Sequence, residues 1–106
     1  MAIQNTTLTT TAANIFVNQN LTGESAVTTI HLCNFTNATQ TTNLYIVPTG
    51  GIANSGTIIY SNVILTAYNT LVVSTEKLIL GNLNDAIMAN CSNANSVTAT
   101  VSSIGI

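Results

Sequence analysis

The segment Val97–Ser102 limits the possible folds of this chain more than any other part of the sequence. Apolar and hydroxyl side chains alternate there in the order Val-Thr-Ala-Thr-Val-Ser. A period of two places the apolar side chains on one face of a β-strand and the hydroxyls on the other. A second run, Ala86–Cys91, alternates in a similar way, and the turn Ser92–Asn95 separates the two. The pattern predicts that these runs form a β-hairpin with one buried face.

Similar strand-like runs recur along the rest of the chain, with turn residues between them. We predict strands over Thr6–Thr11, Asn14–Asn18, Ser25–Asn34, Gln40–Val47, Thr57–Leu65, Thr70–Ser74, Leu78–Leu80, Ala86–Cys91 and Ser96–Ile104. No stretch shows the i, i+3, i+4, i+7 spacing of an amphipathic helix. The sequence therefore predicts an all-β, single-domain antiparallel β-sandwich over residues 1–106. Its topology would be either a jelly roll or immunoglobulin-like without the conserved Trp.

The run Gln40–Val47 is apolar on both faces at its end, where Leu44 and Ile46 alternate with Tyr45 and Val47. Such a strand is central in its sheet or is covered by a partner subunit. The Gly-rich segment Thr49–Gly56 follows. A phosphate-binding loop would require a strand–loop–helix context and usually a Lys. Because another strand-like run follows instead, we expect this segment to be either a hairpin loop or a connection between the two sheets.

Charged residues make up only 4% of the 106 residues, against roughly 25% in a typical soluble domain. Charge keeps a protein soluble and monomeric, so its scarcity favours a subunit that is packed into an assembly. We expect a homo-oligomer, with a trimer as one form. Lys and Arg together number one, which excludes the phosphate contacts of nucleic-acid binding and the basic face of a membrane-surface protein. No apolar run approaches the length of a transmembrane helix.

The two cysteines, Cys33 and Cys91, permit two interpretations. They are either reduced thiols that act as small apolar residues, or an inter-sheet disulfide like that of immunoglobulin domains. Both positions fall in predicted strands. The missing Trp favours the thiols.

No group of residues predicts catalysis, so we expect a protein that is not an enzyme, with no catalytic, cofactor-binding or metal-binding residues. His31 is the only His and shares a strand face with Cys33, but same-strand neighbours project in parallel and rarely form a nucleophile pair. The three acidic residues are scattered, unlike a glycosidase pair or a calcium site; they are Glu24, Glu76 and Asp85. The aromatic residues Tyr45, Tyr60 and Tyr68 leave open a sugar-stacking platform.

Several segments resemble a group of small β-rich bacteriophage virion structural proteins. They are HLCNFTN (His31–Asn37), LYIVPTGG (Leu44–Gly51), IIYSN (Ile58–Asn62), EKLIL (Glu76–Leu80), and NDAIMANCS through VTATVSSI (Asn84–Ile104). The family pattern usually has a Gly-Asp turn where this chain has Asn84 and Asp85. The resemblance marks a fold and implies no catalytic residue.

The resemblance implies a non-enzymatic virion component, with a capsid decoration or cement protein as the main expectation. Its partners would be further copies of itself and the major capsid protein or another virion protein. A tail, baseplate or fibre component is one alternative, and a carbohydrate-binding or adhesin module is another. The first residues lack the basic and apolar regions of a secretory signal. We therefore expect synthesis in the host cytoplasm and incorporation into the virion.

Overall fold

Two antiparallel β-sheets pack face to face. The computed structural model describes residues 2–21, 23–74 and 78–105. The strands are β1 (Ala2–Thr7), β2 (Ala13–Val17), β3 (Ser25–Asn34), β4 (Gln40–Val47), β5 (Ile58–Leu65), β6 (Thr70–Val73), β7 (Leu78–Leu80), β8 (Ala86–Cys91) and β9 (Val97–Gly105). Within the described residues, no helix is long and apolar enough to cross a bilayer. The predicted all-β sandwich is confirmed.

The strand order identifies the topology. Sheet A has the order β1-β9-β3-β6, with β7 also paired to β3, and sheet B has the order β2-β8-β4-β5. Both β6 and β7 pair antiparallel with β3, over different parts of its length, so together they occupy one strand position. The chain passes to the other sheet at every connection except β4–β5 and β6–β7. This is the eight-position order of a jelly roll, which decides between the two predicted topologies.

The predicted hairpin at the C-terminal end is wrong. β8 pairs with β2 and β4 in sheet B, whereas β9 pairs with β1 and β3 in sheet A. The turn Ser92–Asn95 therefore crosses between the sheets. Alternating apolar residues of β8 and β9 do not share one face; they lie on the inner faces of opposite sheets and contribute to the same core.

The strand bounds agree closely with prediction from residue 25 onward. β3, β4, β7 and β8 have the predicted bounds. The predicted bounds of the first strand, Thr6–Thr11, are wrong, because β1 covers Ala2–Thr7. Only Ala2–Thr7 can pair with β9 in a continuous register, and Leu8, which is 2% exposed, turns into the core. The chain then crosses to sheet B.

The core lies between the sheets and is formed by the inward positions of each alternation. In β9, Val97, Ala99 and Val101 are completely buried, as their period of two predicts. In β3, strict alternation predicts one face with Ala26, Thr28, Ile30 and Leu32 and the opposite face with Val27, Thr29, His31 and Cys33, and this is only partly right. A register shift between Val27 and Thr29 moves Val27 to the core side. A bulge of this kind adds one residue and so reverses the faces on one side of it.

A buried asparagine joins the connections at one end of β3. The Asn18 side chain is fully buried, and its Nδ2 donates to the carbonyl oxygens of Leu80 and Asn82, both at 3.0 Å. Its Oδ1 accepts from the Ser25 hydroxyl at 2.7 Å and from the Asn20 N–H at 3.1 Å. One carboxamide therefore links the β2–β3 connection to the residues that follow β7.

A second buried asparagine does the same at the other end of β3. Asn34 is fully buried, and its Nδ2 lies 2.8, 2.9 and 3.1 Å from the carbonyl oxygens of Ala38, Leu65 and Thr66. Its Oδ1 accepts from the Thr36 N–H at 3.0 Å and the Thr36 hydroxyl at 2.7 Å. It thereby holds the β3–β4 turn against the end of β5, and satisfies backbone groups that strand pairing leaves over.

The position of the core predicts that two isoleucines of sheet B contribute very differently to the free energy of unfolding. Ile87 is 0% exposed and Ile64 is 68% exposed. We expect Ile87→Ala to lower the free energy of unfolding by about 2–5 kcal/mol, because it leaves a cavity. The matched change Ile64→Ala should stay within about 0.5 kcal/mol. Urea denaturation of both variants measures this difference, and equal losses would contradict the assignment of Ile87 to the core.

The Asn34 network predicts a pH-dependent defect. Asn34→Asp replaces the buried donor with a carboxylate that faces carbonyl oxygens, so we expect a loss of more than about 2 kcal/mol at neutral pH. That environment raises the pKa of the new carboxyl above its unfolded value, so the loss grows as pH rises and shrinks under acid conditions. The exposed control Asn37→Asp should change stability little. Denaturation of both variants at pH 4 and pH 7 checks the sign; a pH-independent loss would contradict it.

Candidate interaction surfaces

The outer side of sheet B carries a partly apolar surface. Leu44 and Ile87 point into the core, so their neighbours in the alternation, Tyr45 and Met88, point outward. Seven outward residues of β4, β5 and β8 are here called the sheet B face: Thr41, Asn43, Tyr45, Ile58, Ile64, Met88 and Asn90. None of them is charged.

An apolar row crosses the sheet B face from β8 to β5. Tyr45 is paired directly with Met88 on one side and with Ile58 on the other, and all three side chains are half-buried. Ile64 lies on the same face, opposite Thr41, and is 68% exposed. β4 is central in this sheet, as its two apolar faces predict.

A row of carboxamides runs beside the apolar row. Asn43 is paired with Asn90 across the strands, and its Nδ2 donates to the Asn90 Oδ1 at 2.9 Å. The Asn43 Oδ1 accepts from the Asn62 N–H at 2.8 Å, which fixes the edge strand where Asn62 has a φ of 52°. Sequence reasoning did not identify this row. The only sequence feature that indicated it is the alternation in β4 and in β8, which places both asparagines at outward positions.

The connection between β4 and β5 is a loop held by backbone hydrogen bonds. It begins with a turn in which the Gly51 N–H donates to the Pro48 carbonyl at 2.8 Å, and Gly50 takes a φ of 82° that glycine adopts easily. Because β4 and β5 are antiparallel neighbours in one sheet, the loop is a hairpin connection, which is one of the two predicted alternatives. Ile52 in this loop is 68% exposed.

Asp85 anchors that loop to the turn before β8. Its Oδ1 accepts from the Thr49 N–H at 2.9 Å, and its Oδ2 accepts from the Asn82 N–H at 3.0 Å. Partial burial by itself raises the pKa of this carboxyl. Hydrogen bonds from the Thr49 and Asn82 backbones, the Thr49 side chain and the Gly81 backbone outweigh that effect, so the pKa of Asp85 lies below its usual value.

The outer side of sheet A carries His31 and Cys33, the pair considered in the sequence analysis. His31 is exposed and lies between Thr100 and Val72, whereas Cys33 lies between Thr98 and Thr70. Both therefore project from the same face. Cys91 lies in the other sheet and faces the core, so the structure does not bring it to His31. Cys33 and Cys91 are free thiols, which excludes the immunoglobulin-like disulfide in this fold.

The Cys91 thiol sits in a site that disfavours its ionisation. Burial raises its pKa, and hydrogen bonds from the Asn93, Ser96 and Val97 backbones offset this only in part. A raised pKa keeps the thiol protonated and unreactive at neutral pH. In the described part of the chain, no three His, Cys, Asp or Glu residues form a group that could hold a metal ion. Glu76 lies outside the described residues.

The three tyrosines do not form one platform. Tyr60 is paired with the inward-facing Leu44 and packs against the core. Tyr45 projects from the opposite side of the same sheet. Tyr68 is 68% exposed in the β5–β6 turn. A sugar-stacking surface that uses all three side chains together is therefore not present in this arrangement.

The hydrogen bonds of Asp85 predict that the free energy of unfolding depends on pH. A carboxyl whose folded pKa is lowered stabilises the fold above its unfolded pKa, and this contribution is lost as pH falls through the folded pKa. We therefore expect the unfolding free energy of the unmodified protein to fall more steeply than that of Asp85→Asn between about pH 4 and pH 2. Glu24→Gln, which removes an exposed carboxylate, is the matched control. Urea denaturation across this range measures the effect, and parallel pH profiles for Asp85→Asn and the unmodified protein would contradict it.

No protein-family model, curated protein or solved structure matches this chain. The function of the protein is therefore inferred from its own residues and geometry.

Proposed function

We propose that this protein is a non-enzymatic structural subunit of a virus particle, namely a capsid decoration or cement protein that forms homo-oligomers. Its partners would be further copies of itself and a capsid protein. The observation that carries the proposal is the sheet B face, an uncharged and partly apolar surface on a chain with 4% charged residues. Jelly rolls occur in viral capsid proteins and also in lectins, so the topology alone does not assign a function.

The surface chemistry favours burial in an assembly. Removing apolar surface from water stabilises a contact by roughly 25 cal/mol per Å². The Tyr45–Met88–Ile58 row and Ile64 offer such surface. The neighbouring carboxamides Asn43 and Asn90 already form a hydrogen bond with each other. They are neutral, so a partner that covers them buries no ionised group. Burying ionised groups costs several kcal/mol each, and this face has none to bury.

Low net charge supports the same proposal. The formal net charge is −2 over 106 residues, so copies at high local density on a shell would repel each other only weakly. A protein that works alone in solution usually needs more charge to stay dispersed. A decoration protein is held in fixed positions, where that requirement is relaxed.

The copy number per particle tests the proposal against the tail alternative. Quantitative mass spectrometry of purified particles of the virus that encodes the protein would measure its ratio to the major capsid protein. A ratio that corresponds to hundreds of copies supports decoration. A few copies per particle would favour a tail, baseplate or fibre component, and absence from the particles would overturn both.

A charge on the sheet B face should weaken attachment to the shell. We expect Ile64→Lys to reduce affinity for particles that lack the protein by about tenfold or more, because burial of one large aliphatic side chain contributes roughly 1.5–3 kcal/mol. Val72→Lys is the matched control, since Val72 is 49% exposed and belongs to sheet A. Co-sedimentation with the particles measures both. Equal binding by the two variants would contradict a role for the sheet B face.

A further inference from the structure

The edge strands of the sandwich differ in how well they are protected against pairing with a strand of another molecule. An edge strand exposes unpaired N–H and C=O groups, and proteins usually disrupt such edges with bulges, short strands, charges or proline. β6 has only four residues, and β7, which shares its position beside β3, has only three. β2 has a register shift between Asn14 and Phe16, and β5 has two irregularities against β4. These three edges are poor templates for an added strand.

β1 is different from the other edges. All its residues pair with β9 in one uninterrupted register from Ala2 to Thr7. Its sequence, AIQNTT, contains no charge, proline or glycine. On its outer side Ile3 is 70% exposed. Among the edge strands in the described parts of the chain, β1 is therefore the one with a regular and chemically unprotected hydrogen-bonding edge.

A groove lies beside the inner side of β1. It has a volume of about 370 Å³ and is lined by Gln4 of β1, Phe16 of β2, Gln19, Ser25 and Ser103. The lining combines carboxamides and hydroxyls with apolar side chains of β2 and β9, and it has no charged group. A strand added about 4.8 Å from β1 would direct alternate side chains toward this groove. Strand addition of this kind obtains affinity from main-chain hydrogen bonds and specificity from such pockets.

We propose that β1 pairs antiparallel with β1 of a second copy, so that sheet A continues across a two-fold axis. The second copy fits because its own inward side chains, Gln4 and Thr6, are an amide and a hydroxyl, like the groove lining. Both strands are uncharged, so no like charges meet across the pair. The inference rests on the proposed function in that it names one contact through which the subunit assembles.

The two-fold axis restricts the register. Residues directly opposite in an antiparallel pair lie on the same face, so inward residues must face inward residues. The sum of two opposing residue numbers is therefore even. The registers with the longest overlap are centred on Asn5, which places Ile3 opposite Thr7, or on Gln4. In either register the central residue meets its own copy.

The experiment compares two lysine substitutions by light scattering over a range of micromolar concentrations. Thr6→Lys places an inward-pointing charge on β1, a device that protects natural edges. Ser61→Lys adds the same charge on the β5 edge. We expect the unmodified protein and Ser61→Lys to share one oligomeric mass, and Thr6→Lys to have half that mass. Circular dichroism and thermal unfolding check that both variants are folded.

Cross-linking gives an independent readout that does not depend on the lysine variants. Cβ atoms of directly opposed residues are close enough for a disulfide. In a chain with Cys33→Ser, either Asn5→Cys or Gln4→Cys should form a covalent dimer under mild oxidation, and Ser61→Cys should not. Failure of both β1 variants to cross-link, with the protein folded, would overturn the edge pairing.

Other outcomes separate this inference from the proposed function. If Thr6→Lys keeps the unmodified mass while Ile64→Lys lowers it, the β1 contact is wrong and an assembly role through the sheet B face stands. A trimer would also contradict the β1 contact, because a two-fold interface joins subunits in pairs. A β1-linked dimer that is absent from particles would support the contact and overturn the proposed function.

Discussion

The jelly roll of this protein depends on neutral hydrogen bonding at the points where the chain leaves one sheet for the other. Each crossing leaves backbone groups that strand pairing does not satisfy. Asn18 and Asn34, at opposite ends of β3, satisfy several of them from fully buried positions. A carboxamide suits this role because it offers both donors and an acceptor without the desolvation cost of a charge. The loops on both ends of the sandwich are positioned by these two side chains.

Sequence pattern predicted the strands well but not their partners. The alternation in Val97–Ser102 correctly predicted which side chains of β9 are buried, and the bounds of β3 and β4 were right. The turn Ser92–Asn95 has the same composition whether it closes a hairpin or crosses between sheets, so the hairpin prediction failed. Which sheet a strand joins is decided by long-range contacts, and these are not encoded in local periodicity.

The candidate surfaces were only partly predictable for the same reason. The two apolar faces of β4 indicated a central strand or a covered surface, and the structure places Tyr45 on the sheet B face. The carboxamide row was missed because Asn is ordinarily a turn residue, and nothing local shows that Asn43 and Asn90 are directly opposed. The burial of Asn18 and Asn34 was missed on the same ground. The contrast between β1 and the other edges needed the strand pairing itself.

The scarcity of charge connects these features. Asp85 makes its hydrogen bonds with Thr49 and Asn82 in the turn before β8, and it is not one of the residues of the sheet B face or of β1. Both surfaces therefore consist of groups that can leave water at low cost: apolar side chains, hydroxyls, and amides that are already bonded or can bond across a new strand. Charged residues at those positions would favour an isolated subunit, because each would need a partner before it could be buried. A neutral surface removes that barrier, and in the proposed assembly the bulged or short edges at β2, β5 and β6 would direct association to the surfaces that remain.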